Sequence, residues 1–156
     1  MTATLYAMES SNSAGNNESG NLLDFLEVTT ADNPEYSVVW LHGLGADGHD
    51  FEPIVPFLGL PSDAAVRFIF PHALMRPITI NGGAVMRAWY DISEISTTRS
   101  QDEAGIKHSA AKVIALIENE IERGIPASKI VLAGFSQGGA MALHVGLRYP
   151  QRLAGI

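Results

Sequence analysis

The chain has 156 residues, 46% of them hydrophobic, and a mean hydropathy of +0.10, which suits one domain with enough apolar side chain to bury a core. A net charge of −7 with scattered Lys and Arg argues against nucleic acid or an anionic membrane surface as partner, since both call for basic patches. Without cysteine there is no disulfide, thiolate metal site or palmitoylation site, and no stretch reaches the length of a membrane span. The expectation is a soluble, cytoplasmic protein with no membrane insertion, no cofactor and no metal.

In chain order, residues 1–21 are polar and rich in Ser and Asn, without the basic and apolar regions of a secretory signal, and read as a disordered leader. Leu22–Thr30 is expected to form an edge strand, and Asn33-Pro34 a turn. Ser37–Leu41 is a continuous apolar run, the mark of a strand buried on both faces. After His42-Gly43-Leu44-Gly45, the prolines Pro53 and Pro56 frame an irregular or weakly helical segment to Leu60. Val66–Phe70 is another strand, stopped by Pro71, and His72–Met86 reads as a long loop containing Gly82-Gly83. Ala88–Asp91 has the look of a short strand.

The clearest helix spans Gln101 to Arg123. Ser100 and Glu103 fit a capping box, Ile106, Ala110, Val113, Ile114, Ile117 and Ile121 form one apolar face, and Gly124 ends it before Pro126. Strands that are apolar runs, alternating with helices, predict a mostly parallel sheet covered on both faces, an α/β/α sandwich.

Ile130–His144 organises the rest: a short apolar strand, a sharp turn carrying one serine, and the start of a helix. Gly134-Phe135-Ser136-Gln137-Gly138 fits G-x-S-x-G, the nucleophile elbow. A serine lifted on a strained strand-to-helix turn needs neighbours without Cβ, because two backbones pass close to it. The free N–H groups and dipole of a helix N-terminus then favour developing negative charge. A tetrahedral oxyanion needs a second amide from a Gly-rich loop after an early strand; Gln137 supplies the first and Leu44 is the natural second.

Gly43, Gly45 and Gly48 also spell G-x-G-x-x-G, but prolines interrupt the helix that should follow. No acidic residue stands after Val66–Phe70 to hold a ribose, so dinucleotide binding is set aside. Asp47, His49 and Asp50 match no zinc spacing and read as a solvated turn, and Asp91 reads as structural.

His42-Gly-Leu-Gly45, Pro77-Ile-Thr-Ile-Asn81, Trp89-Tyr-Asp91 and Gly134-Phe-Ser-Gln-Gly-Gly139 together resemble the carboxylesterase/acyl-protein thioesterase (phospholipase/carboxylesterase) family of α/β-hydrolases, from about Val38 onward and in the right order. The chain departs from the family pattern at Arg87, where the family has a proline. The resemblance implies hydrolysis of a small-molecule or lipid-derived ester or thioester through an acyl-serine, with Ser136 as nucleophile and the Leu44 and Gln137 amides as oxyanion hole. It also implies an acyl pocket bordered by Leu74, Met75, Ile78 and Trp89. Leu74, Met75, Ile78 and Ile80 are in any case more apolar than a solvated loop requires, a pattern equally open to a loop packed on its own core.

A serine hydroxyl near neutral pH needs a base. Only 20 residues follow Ser136, with His144 but no Asp or Glu among them. His144 sits about 12 Å up the elbow helix, leading away from the hydroxyl. His42 is expected to brace the oxyanion loop, and His49, His72 and His108 stand out of triad order. The family pattern puts the acid and the histidine beyond two further strands. Residues 22–156 are therefore expected to be the N-terminal part of an incomplete α/β-hydrolase domain, ending just after the nucleophile helix. Such a chain would be weakly active or inactive alone, with an open sheet edge able to pair with a second copy. The alternative is a non-catalytic acyl-binding or protein-pairing fragment.

Overall fold

The computed structural model describes residues 22–93 and 101–156; the expected leader and the Ser100 half of the capping box lie outside them. Four strands form the main sheet: β1 (Phe25–Thr29), β2 (Tyr36–Leu41), β3 (Val66–Pro71) and β6 (Ile130–Gly134), in the order β1-β3-β2-β6. β1 runs antiparallel to β3 at the edge, while β3, β2 and β6 are parallel. Beyond β6, a single parallel bridge joins Val131 to Gly155, with Ala154 N–H donating to Ile130 C=O and Leu132 N–H to Gly155 C=O.

Strand alternation divides the core in two. Val39, Leu41, Ile69, Ile130 and Leu132 point to the face covered by α1 (Glu103–Glu122) and α2 (Gln137–Gly146), where they meet Val113, Leu116, Ile117, Met141, Ala142 and Val145. Val38, Trp40, Phe68 and Phe70 point to the opposite face and pack under Phe51, Val55 and Leu58. That second layer is thin: Gly48–Asp50 and Glu52–Phe57 are 3₁₀ turns, and Pro56 inside the second removes a donor an α-helix would need. The layered mixed sheet is the α/β-hydrolase architecture expected, without a long helix on this face among the described residues.

Three expectations need correction. His72–Met86 is not a loop throughout, since β4 (Met75–Ile78) and β5 (Ala84–Arg87) pair antiparallel as a hairpin. Gly82 and Gly83 turn it with φ of 66° and 81°, a conformation that side chains with a Cβ resist. Ala88–Asp91 is not a strand but an irregular segment held by side-chain hydrogen bonds. The cap of α1 is Asp102, whose carboxylate accepts from Gly105 N–H at 2.8 Å, and the helix begins at Glu103.

The buried stripe of α1 is also rotated from the expected one. Ser109, Val113, Leu116, Ile117 and Glu120 are buried, and Ile106, Ala110, Ile114 and Ile121 are only partly so. Partners far away in sequence account for the two polar members. Ser109 Oγ–H donates to Trp89 C=O, and Glu120 pairs with Arg67 at 3.0 Å and Arg123 at 2.8 Å.

Candidate active site

The site stands at the carboxyl ends of β2 and β6. Phe135 N–H donates to Leu41 C=O at 3.0 Å, carrying the ladder one residue past β6 before the chain turns. At Ser136 the backbone adopts φ 53° and ψ −118°, and among the described residues it is the one non-glycine with positive φ. Such a conformation costs about 1–3 kcal/mol and persists only where its surroundings force it.

Here the forcing contacts are backbone on backbone. A Cβ at Gly134 would lie 2.3 Å from Gly138 C=O oxygen, and one at Gly138 would lie 2.3 Å from the Leu41 oxygen and 2.4 Å from the His42 oxygen. The two glycines therefore let α2 start directly against the ends of β6 and β2, leaving Ser136 exposed at the turn. Its hydroxyl makes no cap hydrogen bond to α2.

The Gly-rich loop lies alongside. A Cβ on Gly43 would sit 3.6 Å from Ser136 Cβ and 3.4 Å from Phe135 Cδ1. Ala46 N–H closes a turn onto Gly43 C=O at 3.3 Å, with Gly45 at φ 76°, as the third position of a type II turn demands. Gly45 N–H is tied to Arg87 C=O at 2.9 Å, which joins the turn to the β4–β5 hairpin. Neither the Leu44 nor the Gln137 amide donates a hydrogen bond among the described residues; Gln137 follows the serine and Leu44 follows Gly43, which lies beside it.

His42 lies under the loop, 1% exposed. Ala73 N–H donates to its Nε2 at 3.0 Å, so Nε2 is unprotonated and Nδ1–H donates to Gly43 C=O at 2.7 Å. Burial holds this imidazole below its ordinary pKa, which agrees with a neutral ring bridging two backbone groups. That is the bracing position expected of it, and it leaves neither nitrogen for Ser136.

His72 is likewise pushed down by burial, and its Nδ1 accepts from Gly48 N–H at 3.1 Å. Asp47 accepts from His49 N–H at 2.8 Å, and Asp50 from Asp47 N–H at 2.7 Å, so these residues form a capped turn. Asp91 accepts from Thr79 Oγ1–H at 2.5 Å and Thr79 N–H at 2.8 Å, bonds that hold its carboxyl below the usual range and fix it to the hairpin turn. Among the described residues no three His, Cys, Asp or Glu side chains are grouped to hold a metal.

The four residues expected around an acyl pocket separate into two pairs. Leu74 and Met75, at the root of the hairpin, are exposed; Ile78 and Trp89 are in the core at 0% and 1% exposure. Trp89 N–H donates to Gln137 Oε1 at 2.9 Å, its indole Nε1–H to His42 C=O at 2.8 Å, and its ring packs on His42 with centroids 5.3 Å apart. Sequence reading missed the supporting residues Asp102, Ser109 and the Gln137 side chain. A serine within an otherwise apolar helical stripe was the one available signal. An open depression of about 340 Å³ lies at the far end of α2, lined by Tyr149, Pro150, Arg152 and Ile156, and none of the candidate residues borders it.

The comparisons agree with this architecture. Residues 24–156 match the phospholipase/carboxylesterase family. Acyl-protein thioesterase 1 of Schizosaccharomyces pombe is 41% identical over 120 residues, covering 77% of this chain and 53% of that protein. Acyl-protein thioesterase 1 of Neurospora crassa is 46% identical over 126 residues, covering 77% of this chain and 51% of that protein. The crystal structure of Arabidopsis thaliana SOBER1 superposes with a TM-score of 0.72 at 36% identity, covering 77% of this chain and 59% of that one. The chain thus spans about half the length of the curated relatives it matches. No helix among the described residues is long and apolar enough to cross a membrane. From its matched residues and its layered sheet, the chain belongs to the phospholipase/carboxylesterase family of α/β-hydrolases.

Proposed function

We propose that this chain carries the nucleophile and the oxyanion hole of a serine hydrolase that cleaves carboxylic esters or acyl thioesters. The observation that carries the reading is the strained, exposed backbone of Ser136 at the N-terminus of α2, beside a loop with an unengaged amide. Ser136 Oγ attacks the carbonyl carbon and gives up its proton to a base. The oxyanion is held by the Leu44 and Gln137 N–H groups. The alcohol or thiol leaves with a proton, and water then releases the acid from the acyl-serine. Each oxyanion donor contributes about 3–4 kcal/mol to such a transition state. Leu74 and Met75 offer apolar surface for the acyl chain, with Ile78 and Trp89 behind them.

Among the described residues no histidine or carboxylate is hydrogen-bonded to Ser136, and this reading takes the base from outside them. The test is hydrolysis of a short p-nitrophenyl ester by this chain, and by the same chain joined to the C-terminal half of the S. pombe relative. Alone, the chain should exceed water by at most about 10³–10⁴-fold. The joined protein should be far faster, and Ser136→Ala should abolish the difference. If the excess of the joined protein over the lone chain survived Ser136→Ala, the proposal would end.

A second reading, pairing through the sheet edge, is favoured by one observation. Among the described residues, β6 is bonded on its outer side only through Ala154 and Gly155. Size-exclusion chromatography across concentrations tests it, and a monomer at every concentration argues against it.

A further inference from the structure

Gln137 occupies two places at once. Its main chain opens α2 beside Ser136, while its side chain turns into the core, leaving the residue 4% exposed. There Oε1 accepts from Trp89 N–H at 2.9 Å and Nε2–H donates to Tyr90 C=O at 2.8 Å, a two-point clamp on the segment after β5. From that segment the Trp89 indole N–H reaches His42 C=O at 2.8 Å, two residues before Leu44. We propose that the Gln137 carboxamide and the Trp89 indole are positioning residues that fix the separation of the Leu44 and Gln137 amides. The proposal rests on the reading of Ser136 given above.

The physical argument has two sides. Gly138 abuts the Leu41 and His42 carbonyl oxygens, and backbone contact there sets how closely the elbow can approach the loop. The β2–β6 ladder ties them only as far as the Phe135 N–H bond to Leu41 C=O, so beyond it a further attractive link sets how far Leu44 stands from Gln137. The chain Gln137–Trp89–His42 supplies it with two buried hydrogen bonds between neutral groups, and the part-buried bond from Gln137 Nε2–H to Tyr90 C=O adds a third. Trp89 is held from its other side as well, since Ser109 Oγ–H donates to its carbonyl and anchors it to α1. Burial alone would be satisfied by an apolar side chain at position 137. A carboxamide matched at both ends to backbone groups is a geometric device, because an oxyanion donor misplaced by a fraction of an ångström loses most of its effect.

Phenylboronic acid tests this without needing turnover. Its boron bonds to Ser136 Oγ, the serine proton goes to solvent, and the resulting tetrahedral anion lies where the oxyanion would. ¹¹B NMR separates the tetrahedral adduct from the free trigonal acid, and titrations run well below the melting temperature of each variant. The unsubstituted chain should form the adduct and Ser136→Ala should not. Trp89→Phe keeps a six-membered aromatic ring and removes the indole N–H; it should weaken the adduct about tenfold. Gln137→Met removes the clamp and should weaken it more, and combining the two should cost less than the sum, because they cut one link. In the joined hydrolase, Trp89→Phe should lower kcat with KM unchanged.

Should Gln137→Met fail to fold, Trp89→Phe decides alone. A folded Trp89→Phe chain that binds phenylboronic acid as tightly as the parent overturns the proposal, as does a rise in KM with kcat unchanged. An unsubstituted chain that forms no adduct overturns the assignment of Ser136 itself, and the brace with it.

Discussion

Two polar clusters flank α1, one with Arg67 and Glu120 buried but Arg123 exposed, the other largely buried, and they are built differently. At its C-terminal end, Glu27, Arg67, Glu120 and Arg123 form a charged group: Arg67–Glu120 at 3.0 Å, Arg123–Glu120 at 2.8 Å, Arg123–Glu27 at 2.8 Å and Arg67–Glu27 at 3.5 Å. At its N-terminal end, Ser109, Trp89, Gln137 and His42 are neutral and bind mainly backbone groups. Side chains in the charged group contact one another across β1, β3 and α1, so their mutual positions matter and the backbone is only a support. In the neutral group the backbone is the thing positioned. The first arrangement can be replaced by any filling that neutralises itself; the second cannot be replaced without moving the site.

The largest effect expected follows directly. Glu120→Leu leaves Arg67 buried, with Glu27 at 3.5 Å as its remaining partner, and should destabilise the chain by about 3–5 kcal/mol in urea denaturation. Pairing it with Arg67→Met removes the stranded charge, leaves Glu27 with Arg123, and should recover most of that loss. Boronate binding by either folded variant should equal that of the parent. A weakened adduct in the stable double variant would erase the distinction between the clusters.

Gly138→Ala comes next. Its methyl group would overlap the Leu41 and His42 oxygens, and the elbow must shift from the loop. Overpacking of this kind costs about 1–3 kcal/mol, and the adduct should be lost while the chain still melts cooperatively. Adduct formation at the parent's affinity would show that the backbone contact does not set the approach.

What sequence could reveal divides along the same line. β2, β3 and β6 were legible as apolar runs, and the elbow as a spacing of glycines, because their causes are local: a Cβ either fits beside the next backbone or does not. The hairpin was less so. Its Gly82-Gly83 turn was visible, but Met75–Ile78 and Ala84–Arg87 are short and, Ile78 apart, none of their apolar residues is buried. The stripe of α1 was legible in part: Val113 and Ile117 are buried as expected and Ile106, Ala110, Ile114 and Ile121 pack against the core, but its polar members were not legible. Ser109 and Glu120 are buried through partners 20 and 53 positions away, which no periodicity can report. Trp89 illustrates the limit best: the family resemblance implies a pocket border, while its hydrogen bonds make it a link between loop and elbow.

Asp102→Ala should have a smaller effect, about 1 kcal/mol from the lost cap of α1, measured by thermal melting. Asp102 also accepts from Asp91 N–H at 2.9 Å, so the substitution loosens the Trp89 segment at the same time. Asp102→Asn keeps an acceptor oxygen for one of the two amides and turns an NH2 toward the other, so it should lose only slightly less. If Asp102→Ala left the adduct untouched while lowering the melting temperature, the cap would serve the helix alone.

The smallest effect is a slope against pH, and it separates the clusters by which groups titrate. Burial depresses His42 and His72 below the ordinary value of 6.5, and both accept a backbone N–H at a ring nitrogen that protonation would block. A histidine whose folded pKa is lowered takes up a proton on unfolding. Its contribution is therefore fully present above about pH 6.5 and is lost as pH falls through the depressed folded value. Melting temperatures at pH 7.5 and 5.5 should show this loss, and His72→Gln, whose carboxamide oxygen can accept from Gly48 N–H without titrating, should reduce it. The loop from Gly43 to Gly48 rests on both histidines, so acid should loosen the oxyanion side of the site before it reaches the carboxylates of the charged cluster. An unchanged slope in His72→Gln would assign the acid sensitivity to His42 or to the other depressed histidine, His144, on α2.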